Sequence, residues 1–212
     1  RRLLLAMSTV VIGVLALQGD FAEHIDTFKK CENVECREIR KTEQLEGLHA
    51  LVIPGGESTV MIKLLVEFGM LDAVKALGAS GTPMFGTCAG CIMMARSIDE
   101  RPQQQTLALS EVTVARNAYG TQVDSFESHI TGDDRVFGGS PLTAVLIRAP
   151  KITSVGPDVQ VLATHGSDPV LVQQGNLVLC TFHPEITGDV RIHAFFASLA
   201  RQQDKPFKPT PN

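Results

Sequence analysis

Two cysteines in the segment FGTCAGC, residues 85–91, are compatible with two different chemistries. The spacing Cys88-x-x-Cys91 suits a dithiol redox pair or one half of a zinc site. The frame Gly86-Thr-Cys88-Ala-Gly90 instead suits a sharp turn between a strand and a helix that presents one nucleophile. In that frame Cys88 lies at a helix N-terminus, where the helix dipole favours the thiolate. Cys91 then lies three residues into the helix, where it is expected to pack inward as a small apolar side chain. The plain alternative for Cys88 is a buried structural cysteine.

A cysteine nucleophile needs a base, and the segment FHPE at residues 182–185 supplies one. It follows the apolar run LVLCT, so His183 is expected just past the end of a strand. Alternate residues of an extended segment point to the same side, so Glu185 can reach the imidazole and orient it. A surface His-Glu pair in a loop is the alternative. The remaining histidines have no such frame and are expected to be structural or on the surface: His24, His49, His129, His165 and His193.

Attack on an amide carbon places negative charge on the amide oxygen, and preorganised donors must stabilise it. The backbone N–H of Ala89, directly after the nucleophile, is one candidate. The second is an N–H of the Gly55-Gly56 pair, because glycine allows a peptide to approach without a side-chain clash. A Gly-Gly turn before a helix is also ordinary turn chemistry, with Ser58 as the expected helix cap.

The elements expected to position these residues alternate as strand and helix over the first half of the chain. This alternation indicates parallel βαβ units with right-handed crossovers. The expected strands are residues 10–17, 34–39, 48–53 and 83–86, and the expected helices are 21–31 (with Asp20 as a cap), 59–68, 71–77 and 89–96. Ligand sites in such folds lie beyond the carboxyl ends of the parallel strands, where the PGGES and GTCAG loops are expected.

Beyond residue 97 the pattern changes to short strands separated by the turn signals GDD, GG, GPD and QGN. Such spacing predicts an antiparallel region. The expected strands are residues 107–114, 143–147, 160–164, 169–173 and 177–181, followed by an amphipathic helix at 188–200. The whole pattern predicts an α/β protein with a mixed sheet between layers of helices.

Composition excludes several classes of function. The 212 residues are 44% hydrophobic and 20% charged, which is ordinary for one globular domain. A net charge of −4 gives no basic surface for nucleic acid, and no apolar run reaches the ~20 residues that span a membrane. Five cysteines without a dense framework predict a reducing compartment, the cytoplasm, and no structural metal site.

The two chain ends differ in character from the rest. Arg1-Arg2 followed by LLLAMSTVVIGVLAL resembles the start of a signal peptide, but no small-residue cleavage site follows, and VVIGVLAL fits a buried parallel strand. We therefore expect an N-terminal extension at residues 1–9, a single domain at 10–200 and a polar, Pro-rich tail at 201–212.

Three segments together, PGGEST at 54–59, FGTCAG at 85–90 and FHPE at 182–185, resemble the class I (triad) glutamine amidotransferases, in that family's order. Four further motifs narrow the resemblance to the glutaminase subunits of pyridoxal 5′-phosphate synthase. They are LALQGDFAEH, ARNAYGTQVDSFE, LIRAP and CTFHPEIT, starting at residues 15, 115, 146 and 180. The resemblance extends over about residues 10–200.

This resemblance implies a flavodoxin-like three-layer sandwich with a mixed, mostly parallel central sheet. It also implies hydrolysis of L-glutamine to L-glutamate and ammonia through a cysteine thioester, without a cofactor. Cys88 would be the nucleophile, His183 the general base and acid, and Glu185 the carboxylate that orients His183. The implied oxyanion donors are Gly56 and Ala89.

The family's substrate contacts carry over onto three segments of this chain. Arginine side chains suit the α-carboxylate of glutamine, and Glu57 suits its α-ammonium group. Without the resemblance, an isolated arginine at position 116 or 148 would be taken as a solvated surface charge. The implied substrate-binding residues are Gly56, Glu57, Ser58, Arg116, Ile147 and Arg148.

The resemblance further implies a protein partner, a (β/α)₈ synthase subunit that receives the ammonia for vitamin B6 biosynthesis. Such glutaminases are nearly silent until they dock, and their assemblies hold up to twelve subunits of each kind. Gln18 and the first helix would lie at the docking surface.

Two alternatives remain open from the sequence. A glutaminase subunit of another amidotransferase, such as that of histidine biosynthesis, would share the frame, but RNAYG, IRAP and LQGD argue against it. A CxxC redox or metal-binding module predicts that Cys91 is as important as Cys88, whereas the triad interpretation makes Cys88 alone essential. A member with an inactive triad is disfavoured, because all three triad residues are present.

Overall fold

The structure, a computed structural model, describes residues 9–116, 126–203 and 205–209. Residues 1–8 of the expected N-terminal extension, most of the ARNAYGTQVDSFE motif and the end of the tail lie outside these residues. Its strands are β1 (Val10–Leu15), β2 (Val34–Ile39), β3 (Ala50–Ile53), β4 (Met84–Thr87), β5 (Ala95–Ile98), β6 (Ser110–Ala115), β7 (Phe126–Gly132), β8 (Leu142–Leu146), β9 (Lys151–Val155), β10 (Gln160–His165), β11 (Asp168–Gln174) and β12 (Leu177–Cys180). Its α-helices are α1 (Phe21–Phe28), α2 (Ser58–Glu67), α3 (Leu71–Ala79), α4 (Ala89–Met94), α5 (Asp134–Phe137) and α6 (Arg191–Arg201), with 3₁₀ turns at Thr42–Leu45 and Pro184–Ile186.

A nine-stranded sheet in the order β2-β1-β3-β4-β12-β11-β10-β7-β8 forms the middle of the molecule. Strands β2, β1, β3, β4 and β12 are parallel neighbours, whereas β11, β10, β7 and β8 pair antiparallel. The predicted α/β fold with a mixed sheet is confirmed. Strands β4 and β12 are direct neighbours, so the loops that follow them, with Cys88 and His183, lie at the same edge of the sheet.

Side chains on the two faces of the sheet feed two separate cores. Along β3, Leu51 and Ile53 pack with α2, α3 and α4, whereas Ala50 and Val52 pack on the opposite face with α1 and α6. A strand places alternate side chains on opposite faces, so a run that is apolar throughout can only be buried on both. A small sheet of β5, β6 and β9 extends the first core. No helix in the described ranges is long and apolar enough to cross a membrane.

Several local expectations were wrong in detail. The helix expected at 89–96 ends at Met94, and residues from Ala95 onward form strand β5 because they pair with β6. Strands β7 and β9 were not expected, because their sequences carry many polar residues. Such cases show tertiary pairing overriding local propensity.

Neither expected helix cap forms. The Asp20 carboxylate makes no hydrogen bond to the start of α1 and lies instead beside His183. Ser58 is the first residue of α2 rather than its cap, and its hydroxyl accepts a hydrogen bond from Gln104. Both side chains point into the region where the parallel strands end, and site contacts take the place of capping.

Helix α4 lies unusually close to the sheet, because glycines line its contact. A Cβ atom on Gly90 would clash with the backbone carbonyl of Ile53 in β3, and one on Gly86 would lie 2.6 Å from the carbonyl carbon of Gly90. The frame Gly-x-Cys-x-Gly is therefore a packing requirement that holds Cys88 at the sheet edge.

Helices α1 and α6 meet through a pair of buried histidines, His24 and His193. His24 Nδ1 lies 3.0 Å from His193 Nε2, and both side chains are fully buried. Burial lowers the pKa of His24 well below its usual value, and it lowers the pKa of His193 to about 3, although the Asp189 charge acts in the opposite direction. Both imidazoles are therefore neutral in the folded protein at neutral pH.

We expect Gly90→Ala to lower the free energy of unfolding by at least about 2 kcal/mol, because the added methyl group meets backbone that cannot turn aside. Gly166→Ala is the control. Gly166 has a φ of +60° and open space around its Cα, so it should lose only about 1 kcal/mol from backbone strain. Urea unfolding of both variants measures the difference. Equal losses would contradict the close-packing interpretation.

We expect the stability of the protein to fall as the pH is lowered from 7 to 5, because His193 protonates near pH 6.5 only when unfolded. A group with a depressed folded pKa contributes stability above its unfolded pKa and loses it as the pH falls. At pH 5 this loss is about 2 kcal/mol for His193. Urea unfolding of His193→Gln should show a drop smaller by that amount, and an unchanged drop would contradict the prediction.

Candidate active site

Cys88 occupies the turn between β4 and α4 in a strained backbone conformation. Its φ of 46° and ψ of −100° lie in a region that residues with a Cβ rarely adopt. Its N–H donates to the carbonyl of Cys180 in β12 at 2.8 Å, and its carbonyl accepts from the N–H of Ile92 at 3.2 Å. The thiol is therefore presented at the sheet edge by a backbone fixed on both sides of the turn.

His183 lies in the loop that follows β12, and β8 holds its backbone. The His183 N–H donates to the carbonyl of Val145 at 3.0 Å. Its Nδ1 lies 2.7 Å from Glu185 Oε1, and both residues are 5% exposed. With Nδ1 bonded to the carboxylate, the other ring nitrogen is free to serve the Cys88 thiol.

A second carboxylate approaches the same imidazole nitrogen. Asp20 Oδ2 lies 3.4 Å from His183 Nδ1, and 42% of the Asp20 side chain is exposed. Burial by itself lowers the pKa of His183, but hydrogen bonds to Asp20, Cys88 and Glu185 outweigh it and hold that pKa above its usual range. Burial raises the pKa of Glu185, and the hydrogen bond from His183 opposes the rise. The site is thus built to stabilise an imidazolium ion.

Gly55 packs directly against the imidazole ring of His183. A Cβ atom at position 55 would clash with the His183 ring, so only glycine allows this contact. The Gly55 carbonyl accepts a hydrogen bond from the Asp20 N–H at 3.1 Å. Because a trans peptide directs its C=O and N–H oppositely, the Gly56 N–H points away from Asp20. Gly56 itself has a φ of +153° and lies against the Gln18 side chain.

Cys88 and His183 open into a cavity of about 410 Å³. Its lining includes every residue expected to bind substrate, together with Gln18, Asp20 and Ile92. The expected residues in the lining are Gly56, Glu57, Ser58, Arg116, Ile147 and Arg148. A larger cavity of about 540 Å³ near Leu17 and Phe68 contains no cysteine or histidine, so the smaller one is the candidate active site.

Two oppositely charged side chains of the cavity pair with each other. Arg116 Nη2 donates to Glu57 Oε1 at 2.9 Å, and Arg116 Nη1 donates to Gln104 Oε1 at 2.8 Å. The Gln104 amide also donates to the Ser58 hydroxyl at 3.2 Å. The Arg116 side chain is only 14% exposed, whereas that of Glu57 is 51% exposed. Gln104 therefore links two segments that are distant in sequence and orients the guanidinium.

Ile147 and Arg148 reach the cavity because they follow the end of β8. The Ile147 carbonyl lies 3.9 Å from the Cys88 sulfur. Arg148 has a φ of 45°, in the left-handed region. A non-glycine residue keeps such a strained conformation only where the surrounding structure holds its backbone in place.

The structure brings the expected site residues together with two exceptions in placement. Glu185 lies behind His183 rather than in the cavity lining, as an orienting residue should. Ala89 is buried directly after Cys88 and is not part of the lining. The remaining expected residues of the ARNAYGTQVDSFE motif after Arg116, up to residue 125, lie outside the described ranges.

Sequence reasoning missed Asp20 and His24 as parts of the site. His24 Nε2 lies 3.0 Å from Thr87 Oγ1 and 3.4 Å from Glu185 Oε2. Their positions after the end of β1 could have indicated that they lie near the site. The end of β1 lies at the same edge as the ends of β3 and β4, and residues 20 and 24 share one face of the first helical turn.

The Cys88–Cys91 spacing does not carry a second function in this arrangement. Cys91 is fully buried in the core beneath α4, and burial raises the pKa of its thiol far above the usual range. In the described ranges, one group of three side chains could offer ligands to a metal, namely Asp20, His183 and Glu185, and it contains no cysteine. Its His183 Nδ1 is already hydrogen-bonded to Glu185.

Comparison with known proteins shows which family the chain resembles. The family model described as the SNO glutamine amidotransferase family matches residues 14–201. The pyridoxal 5′-phosphate synthase subunit PdxT of Streptomyces avermitilis is 47% identical over 201 residues, which cover 94% of this chain and 98% of that protein. The protein of the same name from Thermus thermophilus is 48% identical over 191 residues, or 90% of this chain and 97% of the relative.

Solved structures agree with the sequence relatives. A crystal structure of a glutamine amidotransferase superposes with a TM-score of 0.83 at 46% identity and covers 89% of this chain and 98% of its own. The PurLQS structure from Thermotoga maritima shares the fold at 12% identity, with a TM-score of 0.67, over 91% of this chain and 99% of the matched chain. This chain belongs to the SNO glutamine amidotransferase family.

Proposed function

We propose that this chain hydrolyses L-glutamine to L-glutamate and ammonia, as the glutaminase subunit of a pyridoxal 5′-phosphate synthase. The observation that carries the proposal is the convergence of a strained Cys88 and a buried His183–Glu185 pair on one cavity. Membership of a glutamine amidotransferase family and similarity to PdxT subunits support the substrate and the pathway.

The first half of the reaction forms a thioester. His183 takes the proton of the Cys88 thiol, and the sulfur attacks the γ-carboxamide carbon of glutamine. The imidazolium that forms is stabilised by Glu185, which keeps Nδ1 protonated and the ring oriented. His183 then returns the proton to the departing nitrogen, and ammonia leaves. The proposed donors to the intermediate oxyanion are the N–H groups of Gly56 and Ala89.

The second half consumes one water. His183 accepts a proton from the water as it attacks the thioester carbonyl, and the collapse of the second intermediate returns the thiol to Cys88. The net reaction is glutamine plus water to glutamate plus ammonia. The same histidine acts as base and acid in both halves, which requires its tautomer to be fixed throughout.

The charged side chains of the cavity suit an amino-acid substrate. Glu57 can receive the α-ammonium, and Arg116 and Arg148 can receive the α-carboxylate. Glu57 and Arg116 pair with each other in the structure, and a pair with a half-exposed partner is worth only about 0–1 kcal/mol. Replacing that pair by two contacts to a zwitterion is therefore energetically accessible.

The proposed recipient of the ammonia is a (β/α)₈ synthase subunit. We propose that the two kinds of subunit form a complex with up to twelve copies of each, and that Gln18 and α1 lie at the docking surface. Gln18 fits this role because its side chain accepts a hydrogen bond from the Glu57 N–H at 2.8 Å, so a partner that contacts Gln18 contacts a side chain that is bonded to the PGGES loop.

The proposed compartment is a reducing one, such as the cytoplasm. All five cysteines of the chain are free thiols, among them Cys31 and Cys36 at the edge of the α1 core. A reducing compartment also preserves a nucleophilic thiol, because oxidation would consume it.

We expect Cys88→Ala to lower the rate of ammonia release from glutamine by at least about 10³-fold in the presence of the synthase subunit, because the thioester cannot form. Cys91→Ala is the matched control and should stay within about threefold, since its thiol only packs in the core. Coupled assay of ammonia measures both. Turnover that persists in Cys88→Ala, or equal losses in the two variants, would contradict the mechanism.

We expect Arg116→Ala to raise KM for glutamine by about tenfold or more, while kcat changes less, because it removes a charge-assisted contact made before the chemical step. Arg96→Ala removes an exposed arginine that pairs with Glu111 and should leave both constants unchanged. Steady-state kinetics of the assembled complex separates the two outcomes. A fall in kcat at constant KM would argue against a role of Arg116 in substrate binding.

A further inference from the structure

Behind the His183–Glu185 pair lies a second row of buried side chains that the reaction itself does not use. Glu185 Oε1 faces His183, but the other carboxylate oxygen, Oε2, is buried without a hydrogen-bond partner at standard distance. His24 Nε2 lies 3.4 Å from this oxygen and 3.0 Å from the Thr87 hydroxyl. Thr87 directly precedes the nucleophile. His24 therefore stands between the carboxylate of the triad and the strand that carries Cys88.

The buried contacts favour one tautomer of His24. Each neutral imidazole has one donor and one acceptor nitrogen, and His24 Nδ1 faces His193 Nε2 at 3.0 Å. If Nδ1 donated to His193, the His24 Nε2 lone pair would face the Glu185 carboxylate. The His193 Nδ1–H would then also be buried without an acceptor. The reverse arrangement, with His193 donating and His24 carrying its proton on Nε2, avoids both costs.

We propose that His24 is a positioning residue, fixed by His193, whose Nε2–H bonds the Thr87 hydroxyl and lies beside Glu185 Oε2 at 3.4 Å. It keeps the Glu185 carboxylate ionised and turned toward His183, and so maintains the reactive Cys88–His183 pair. The proposal rests on the proposed function, because it assigns a role within that site.

Other groups around this row agree with a neutral His24. His24 lies near His193 and His183, and its ring packs edge-on against Phe85 with 6.0 Å between the ring centroids. Burial, followed by these two histidines, keeps the pKa of His24 low. Asp189 and Lys30 act on His193 in opposite directions. Asp20 adds a second negative charge near Glu185, which increases the need for a donor on its far oxygen.

Helix α1 also holds the backbone of the Glu185 segment. The Thr27 hydroxyl, one turn after His24, lies 3.1 Å from the Glu185 carbonyl and 2.9 Å from the carbonyl of Glu23. Thus α1 contacts Glu185 through its main chain and, by the proposed N–H, through its side chain. A helix at the expected docking surface is in this way connected to the orientation of the triad carboxylate.

The test compares His24→Leu, which removes the N–H at similar volume, with His24→Gln, whose terminal amide can still donate. The first readout is the rate at which iodoacetamide alkylates Cys88, followed by mass spectrometry of its peptide between pH 5 and 9. The His183 imidazolium stabilises the Cys88 thiolate. If the Glu185 carboxylate is less well ionised or oriented, the imidazolium is less stable and the thiolate is disfavoured. His24→Leu should therefore shift the alkylation midpoint to higher pH and slow alkylation at pH 6.5, and His24→Gln should stay close to the unaltered chain.

The second readout is ammonia release by the complex with the synthase subunit. His24→Leu should lower kcat about tenfold or more with KM for glutamine changed less than threefold, the size typical of lost orienting contacts. His24→Gln should remain within about threefold. A merely structural role would lower the amount of folded protein without moving the alkylation midpoint, and that result would overturn the proposal.

Two further outcomes separate this inference from the proposed function. If the unaltered complex releases no ammonia but the alkylation midpoint still moves in His24→Leu, the function fails and the positioning role stands. If ammonia is released and neither readout responds to His24→Leu, the positioning role fails alone. If His24→Leu does not fold, His193→Leu is compared with His193→Gln instead. His193 acts on Glu185 through His24, so the alkylation midpoint should shift in the same direction by a smaller amount.

Discussion

The close approach of α4 to β3 is the constraint on which the site depends. Gly90 lies so near the carbonyl of Ile53 that no side chain fits between them, and Gly86 lies against the backbone of Gly90. This contact places the N-terminus of α4 at the ends of β3 and β4, where Cys88 has its unusual φ and ψ. The neighbouring strand β12 then delivers His183 to the same edge, with its backbone fixed by β8. Strain at Cys88 is thus supported by packing and by sheet hydrogen bonds on both sides.

Much of the fold and the central part of the candidate site followed from the sequence, because they are encoded locally. The Gly-x-Cys-x-Gly frame after an apolar run defines a tight turn. The pairing of His183 with Glu185 was also expected, but the 3₁₀ turn at Pro184–Ile186, rather than an extended segment, brings the two side chains together. The pairing of β5, and the existence of β7 and β9, could not be deduced, since their residues acquire strand structure only from distant partners. The failed caps have the same origin. Asp20 was suited to cap α1 by type and position, but its carboxylate makes no capping hydrogen bond and lies 3.4 Å from a histidine near the other end of the chain.

His24 illustrates a different limit. From sequence it is one histidine on the inner face of an amphipathic helix, and such residues usually belong to the core. Its fully buried position agrees with that expectation, yet its neighbours are the Glu185 carboxylate, the Thr87 hydroxyl beside Cys88 and a second histidine. Polar groups buried together must satisfy one another, so a core position next to a reactive site takes part in its electrostatics. Three-dimensional proximity, rather than residue type, decides that role.

The ion pair between Glu57 and Arg116 defines a charge pattern that a ligand can match. A ligand that carries both an ammonium and a carboxylate at the spacing of an α-amino acid can replace each half of the pair at once, and no charge is left unmatched. An amide with only one charge would separate the pair and leave the opposite side chain without its partner, and that penalty falls mainly on the largely enclosed Arg116. For the proposed function, charge matching rather than size therefore favours a zwitterionic amide over a singly charged one.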